Sequence, residues 1–150
     1  MKKLIISVLI PLTTTLVFGV ESDLVSLDSY ISNHDTKDKV VVTYTMERCT
    51  ALYLYFASQS QSETSQEGIK FHQNAQNGYK KLTYLRTNFV VDNYKNPEGV
   101  IKEGTETIKR MTSLYKSRAD KVLDSGRDLN EDKLIWSDLN FCSSIYLKGK

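Results

Sequence analysis

Apolar residues recur along this chain at steps of three and four with polar residues between them, and that period is helical. Residues 36–57 predict a first long helix, with Val42, Thr45, Met46, Cys49, Leu52, Tyr53 and Phe56 on one face. A shorter stretch, 22–32, predicts a turn or two of helix ahead of it. The β-branched run at 40–43 would also suit a strand, but no second segment of that kind exists to pair with it. A polar link at 58–66 leads into a second helix over 63–93, striped by Ile69, His72, Ala75, Tyr79, Leu82, Arg86, Phe89 and Val90.

Asn96, Pro97 and Glu98 read as an N-cap, a first-turn proline and a first-turn acid, three signals that agree on the start of a third helix. Its expected core face is Ile101, Ile108, Met111, Leu114, Tyr115 and Val122, and Glu106 and Arg110 stand four apart as a surface pair. Gly126 is placed to end it. Asp128 and Glu131 have capping-box spacing and open a fourth helix, which carries Leu134, Ile135, Asp138, Leu139, Cys142, Ile145 and Tyr146 on one side. The expected architecture is all-α: an up-down-up-down four-helix bundle preceded by a short helical segment, with a looser helical array as the alternative.

The first residues follow a different pattern. Lys2 and Lys3 lead an apolar run from Leu4 to Phe18, and Val17 and Gly19 offer a small-residue cleavage site, so residues 1–19 read as a signal peptide and 20–150 as a single helical domain. A retained anchor would need about 20 predominantly apolar residues, and this run is shorter and diluted by Pro11 and by threonines 13–15. No cysteine follows it for lipid attachment. The expected location is therefore exported, periplasmic or secreted, with no stable membrane insertion after cleavage.

That reading changes the charge. The whole chain carries 20 basic and 18 acidic residues, a formal +2, and loss of Lys2 and Lys3 brings the remainder to balance. With no basic run left elsewhere, a nucleic-acid partner is not expected.

Cys49 and Cys142 are the two cysteines, and an even count in an exported protein argues for a disulfide. Cys49 should lie about 20 Å along the first long helix and Cys142 about 18 Å along the fourth, so in an antiparallel pair they reach similar heights. A redox-active pair would more ordinarily show the short Cys-x-x-Cys spacing, which is missing.

The same arithmetic puts His72 and Met111 near the cysteine layer, and Arg48 and Asp138 each lie beside or one turn from a cysteine, so His72, Arg48 and Asp138 form a candidate interior polar layer. Arg48 either pairs with Asp138 across the first and fourth helices or runs along the surface to solvent on its aliphatic stem. A facing His72 and Met111 would be a haem-ligating combination, but a single histidine on an amphipathic stripe ordinarily packs and hydrogen-bonds, and no cofactor is expected.

Catalytic groups are sparse. His34 and His72 are the only histidines, neither stands in a nucleophile motif, and no phosphate loop, zinc spacing or EF-hand loop is present. His34, Asp35 and Asp38 form a possible surface metal cluster, but capping the next helix is the more ordinary use of such residues, so neither a catalytic nor a metal site is expected. The nine tyrosines exceed what a bundle core needs, and Tyr44, Tyr55 and Tyr84 fall beside the main stripes. The expected function is that of a non-catalytic exported protein binding a protein or envelope partner. The alternative is a small-ligand or haem carrier that uses the bundle interior.

Overall fold

Local capping chemistry sets most of the helix ends. The computed structural model describes residues 24–60, 65–90 and 97–147; the expected leader and Asn96 lie outside the described residues. Helix α1 (Leu27–Ser32) starts where the Ser26 hydroxyl accepts the Ser29 N–H, and α2 (Lys39–Gln59) where the Asp38 carboxylate accepts the Val40 N–H at 2.8 Å. Helix α3 (Gln66–Leu85) is capped by Ser65 and runs on into a π-helical turn, Arg86–Val90. Pro97 and Glu98 open α4 (Pro97–Asp124). It closes at Gly126, whose φ of 74° lets the Arg127 N–H turn back to the Val122 carbonyl.

The start of α5 (Lys133–Leu147) differs from the sequence expectation. Asp128 makes no side-chain cap; residues Leu129–Glu131 form a single 3₁₀ turn, and Asp132 caps α5 instead by accepting the N–H groups of Leu134 and Ile135 at 3.1 and 2.9 Å. The expected surface pair shifts as well, since Glu106 binds Lys109 at 2.9 Å rather than Arg110. Among the described residues the secondary structure is entirely helical, with no strand.

Helix directions follow from which residues meet. Phe56 stacks on Phe71 near the α2–α3 link while Glu47 meets Arg86 at the other end of α3, so these helices are antiparallel. Arg86 also reaches the Val100 carbonyl at the start of α4, which turns back along α3 and places Thr112 against Ala51. Asp132 meets Arg118, and Asp138 meets Tyr115, so α5 reverses again. The Cys49–Cys142 disulfide joins α2 to α5. This is the up-down-up-down bundle, with α1 lying against α5.

Helix α2 is more deeply enclosed than a corner helix. Every residue from Thr45 to Tyr53 is buried, which covers all faces of the helix, because α3, α4 and α5 all pack against it. Its first turns are open by contrast, and Val40 is exposed. Ile69 and Ile101, expected on core faces, are also exposed.

Candidate functional site

The central position of α2 forces two neighbouring charged residues inward. Glu47 and Arg48 point about 100° apart, so the helix aims them at different neighbours. Both are buried, and both are matched.

Arg48 is fully enclosed and forms an ion pair with Asp138 of α5, which is equally enclosed. Its Nη1 donates to the Val25 carbonyl at 2.7 Å, and its Nε donates to the Tyr115 hydroxyl of α4 at 3.2 Å. The Tyr115 hydroxyl in turn donates to Asp138 Oδ2, while Asp138 Oδ1 accepts the Leu27 N–H at 2.6 Å. The guanidinium carbon also lies 5.8 Å from the centre of the Tyr44 ring and 6.0 Å from that of Tyr115. One cluster thus fastens α2, α4, α5 and the segment leading into α1.

Burial pushes the Asp138 carboxyl above its ordinary range, against the pull of Arg48, Tyr115 and the Leu27 N–H. Burial likewise raises the Tyr115 phenol, with Asp138 reinforcing it. For Arg48 burial works toward a lower pKa, but Tyr115 and Asp138 outweigh it and keep the guanidinium charged.

Glu47 pairs with Arg86, which the helical period places only on an amphipathic stripe. Arg86 Nη1 donates to the Val100 carbonyl at 2.9 Å, tying α2, the end of α3 and the start of α4 together. Gly104 leaves room for this: a Cβ there would stand 2.5 Å from Arg86 Nε, so a larger residue would push the Arg86 side chain out of its present position. Burial raises the Glu47 carboxyl even though the Arg86 hydrogen bond opposes it.

The third pair is more open. Arg118 Nε donates to both carboxylate oxygens of Asp132 at 2.9 Å, and Asp132 also caps α5. Burial would raise this carboxyl, but Arg118 and the backbone donors of Ile135 and Leu134 overcome it and hold it below its ordinary value. A carboxyl lowered in this way stabilises the fold above its unfolded pKa, and that contribution is lost as the pH falls through the folded one. Asp138 and Glu47, both raised, have the opposite sign: the folded chain takes up their protons first, so acidification into that window does not weaken the fold through them. Urea unfolding should accordingly show stability holding between about pH 7 and pH 5 and falling below about pH 4. Asp132→Asn keeps an amide oxygen to cap α5 but loses the charge that Arg118 holds, so it should flatten that acid limb at a cost of no more than about 1 kcal/mol at neutral pH. An undiminished acid limb in the variant would remove Asp132 from this role.

The other candidate residues are dispersed. His72 is half-buried on α3, next to Phe71, whose ring centre lies 5.1 Å from that of Phe56. Phe56 is eight residues past Arg48, about 12 Å along α2, so His72 stands apart from the Arg48–Asp138 cluster. Met111 is packed in the core. The His34 ring stacks on Tyr30 at 4.2 Å between centres, and its Nδ1 lies 2.7 Å from the Tyr30 carbonyl oxygen. Among the described residues no three His, Cys, Asp or Glu side chains gather into a metal-binding group. Nor is any described helix long and apolar enough to cross a membrane.

Two apolar grooves share a wall at Val42 and Met46. The larger, about 390 Å³, runs between α2 and α3 and is completed by Lys80, Lys81, Tyr84 and Leu85. The smaller, about 220 Å³, lies toward α5, where Val41, Phe141 and Ile145 face Ile31. Of the three tyrosines expected beside the stripes, Tyr55 is buried and Tyr44 is half-buried against Tyr30, whereas Tyr84 is 62 % exposed at the rim of the larger groove.

The fold and these features define a small α-helical bundle crosslinked once and keyed by buried ion pairs. No family model matches the chain, and no curated protein or solved structure matches it either.

Proposed function

We propose that this chain is a non-catalytic exported protein that binds a protein partner through the open end of the α2–α3 layer. The carrying observation is the larger groove, an apolar trough rimmed by the exposed Tyr84. Tyrosine at the edge of an apolar hollow supplies contact area and a hydrogen bond at low entropic cost. A non-catalytic role is supported by where the buried charge goes. Asp138 and Glu47 are sealed in and paired with arginines, so neither carboxyl is placed to reach a substrate.

Export is supported by the leader pattern of residues 1–19 together with the disulfide, a bond at home in oxidising compartments. Val25 is held by Arg48 six residues beyond Gly19, a reach of about 20 Å at full extension. An uncleaved leader would keep the bundle close against the membrane, and cleavage releases it. The intact mass of the exported protein should correspond to a chain beginning near Val20.

The binding reading is tested by replacing Tyr84 with a photo-crosslinking phenylalanine derivative in the exporting cell, with Lys116 as the control position. Lys116 is exposed on α4, paired with Asp120, and is not among the residues that line the groove. A discrete crosslinked species from position 84 and none from 116 is the expected result. Equal yields from both positions, or none from 84, would sink the proposal.

A further inference from the structure

We infer that the cleft between α2 and α5 is a peptide-binding site and that residues 24–32 of this chain, the strap that ends in α1, are its resident and displaceable occupant. The partner it fits is a chain segment with the strap's own pattern, an apolar residue followed by an acid. This goes beyond the Tyr84 groove and does not depend on it.

The bundle completes the polar end of the cleft without the strap. Arg48 Nη2 pairs with Asp138 Oδ2, and the Tyr115 hydroxyl accepts from Arg48 Nε and donates to that same Oδ2. This closed set joins α2, α4 and α5 and leaves one acceptor, Asp138 Oδ1, and one donor, Arg48 Nη1. The strap meets both with main chain: the Leu27 N–H donates to Oδ1 at 2.6 Å, and the Val25 carbonyl accepts from Nη1 at 2.7 Å. Ser26 between them is extended, with φ −59° and ψ 151°. A carbonyl and an N–H two residues apart are what any extended backbone offers, and their pairing with ionised groups makes the bonds strong. Main-chain bonds of this kind supply affinity and side-chain pockets supply selectivity. Here the side chains are Leu27, fully buried in the core cluster, and Asp28, which accepts from the Ser137 hydroxyl at 2.8 Å.

The strap fills the cleft incompletely. Leu27 is the one buried residue of α1, a six-residue helix too short to persist by itself. Ile31 walls a hollow of about 220 Å³ opposite Val41, Met46, Phe141 and Ile145, and leaves it open. A segment with a larger apolar residue in the place of Ile31 buries area that the resident does not. The resident's advantage is its tether. Residues 33–38 present it at an effective concentration on the order of mM, which an incoming segment must outbid.

The test uses fluorescent synthetic peptides spanning residues 24–32 with the full exported protein, read by anisotropy. The peptide of native sequence should bind Leu27→Ala protein at least about tenfold more tightly than it binds the parent, whose tethered strap competes. A peptide carrying Ile31→Trp should bind that variant more tightly still, and one carrying Leu27→Asp should not bind. Hydrogen exchange of the parent protein is a second measurement that needs no variant. The Leu27 N–H should exchange through a local opening with little urea dependence, while the N–H of the buried Leu52 in α2 exchanges only on global unfolding.

No binding by a Leu27→Ala protein that still melts cooperatively would overturn the site. Equal affinity for variant and parent would put the peptide on another surface and overturn it as well. An Ile31→Trp peptide that binds no tighter would remove the hollow from the site. Where Leu27→Ala abolishes folding, exchange decides: protection of the Leu27 N–H equal to that of Leu52 would make the strap a fixed part of the core and overturn its displacement.

Discussion

Replacing Asp138 with alanine is expected to cost the fold about 3–5 kcal/mol, because the change leaves the fully buried Arg48 guanidinium without its counter-charge. The loss extends beyond one ion pair. Leu27 N–H and the Tyr115 hydroxyl both end on the Asp138 carboxylate, and each becomes an unsatisfied buried donor at about 1–3 kcal/mol. Asp138→Asn is the milder arm, since the amide oxygen still accepts from Leu27 while the charge is gone. Arg48→Met alone should also be costly, with Asp138 left charged among apolar neighbours.

Combining Arg48→Met with Asp138→Leu separates attraction from desolvation. Removing both charges also removes the penalty of burying either, so the double variant should lose clearly less than the sum of the two single losses. It should still fall short of the parent, because Leu27 N–H and Tyr115 remain unpaired; adding Tyr115→Phe should recover part of that remainder. Urea unfolding of the set measures every term. Strictly additive losses would show that Arg48 and Asp138 do not depend on each other.

How much of this was readable in the residues differs by layer. Helical period alone located the long helices, and the rise per residue brought Cys49 and Cys142 to one level, because both depend on nothing but regular geometry. For Arg48 the sequence left two alternatives, a cross-helix pair and a run to solvent. A guanidinium on a flexible stem suits either until its neighbours are known, and the structure shows the pair. The Glu47–Arg86 pair does not show in the periodicity, because a helical wheel puts Glu47 off the apolar stripe. A signal was present nonetheless: between Val40 and Gln59 the only charged residues are Glu47 and Arg48, too few for a helix with a solvated face. Asp132 was hidden by competition, since Asp128 and Glu131 have the spacing of a capping box but the chain spends them on a 3₁₀ turn. Gly104 carries no marker in sequence for the guanidinium that crosses it. That contact exists only once α3 and α4 are docked.

Removing the disulfide by Cys49→Ala/Cys142→Ala is expected to cost about 4.5 kcal/mol, the loop-closure entropy for a crosslink spanning 93 residues. With total stabilities of about 5–15 kcal/mol typical for single domains, such a loss is a large share of the whole. The bridge is fully buried, so dithiothreitol should reduce it only when the bundle opens, and the reduction rate should climb steeply with added urea. A rate independent of urea would mean the sulfurs are reached from the native state. The unfolded chain without its crosslink is more expanded, so the urea dependence of stability should steepen as the midpoint falls. The bond also acts on its neighbours. Cys49 adjoins Arg48, and Cys142 lies one turn beyond Asp138, so the bridge holds α2 and α5 in the alignment that the buried pair requires. Asp138→Asn should therefore cost more in the cysteine-free background than in the parent, a coupling expected of groups in contact. An equal cost in both backgrounds would show that the ion pair keeps α5 in register without help from the covalent link.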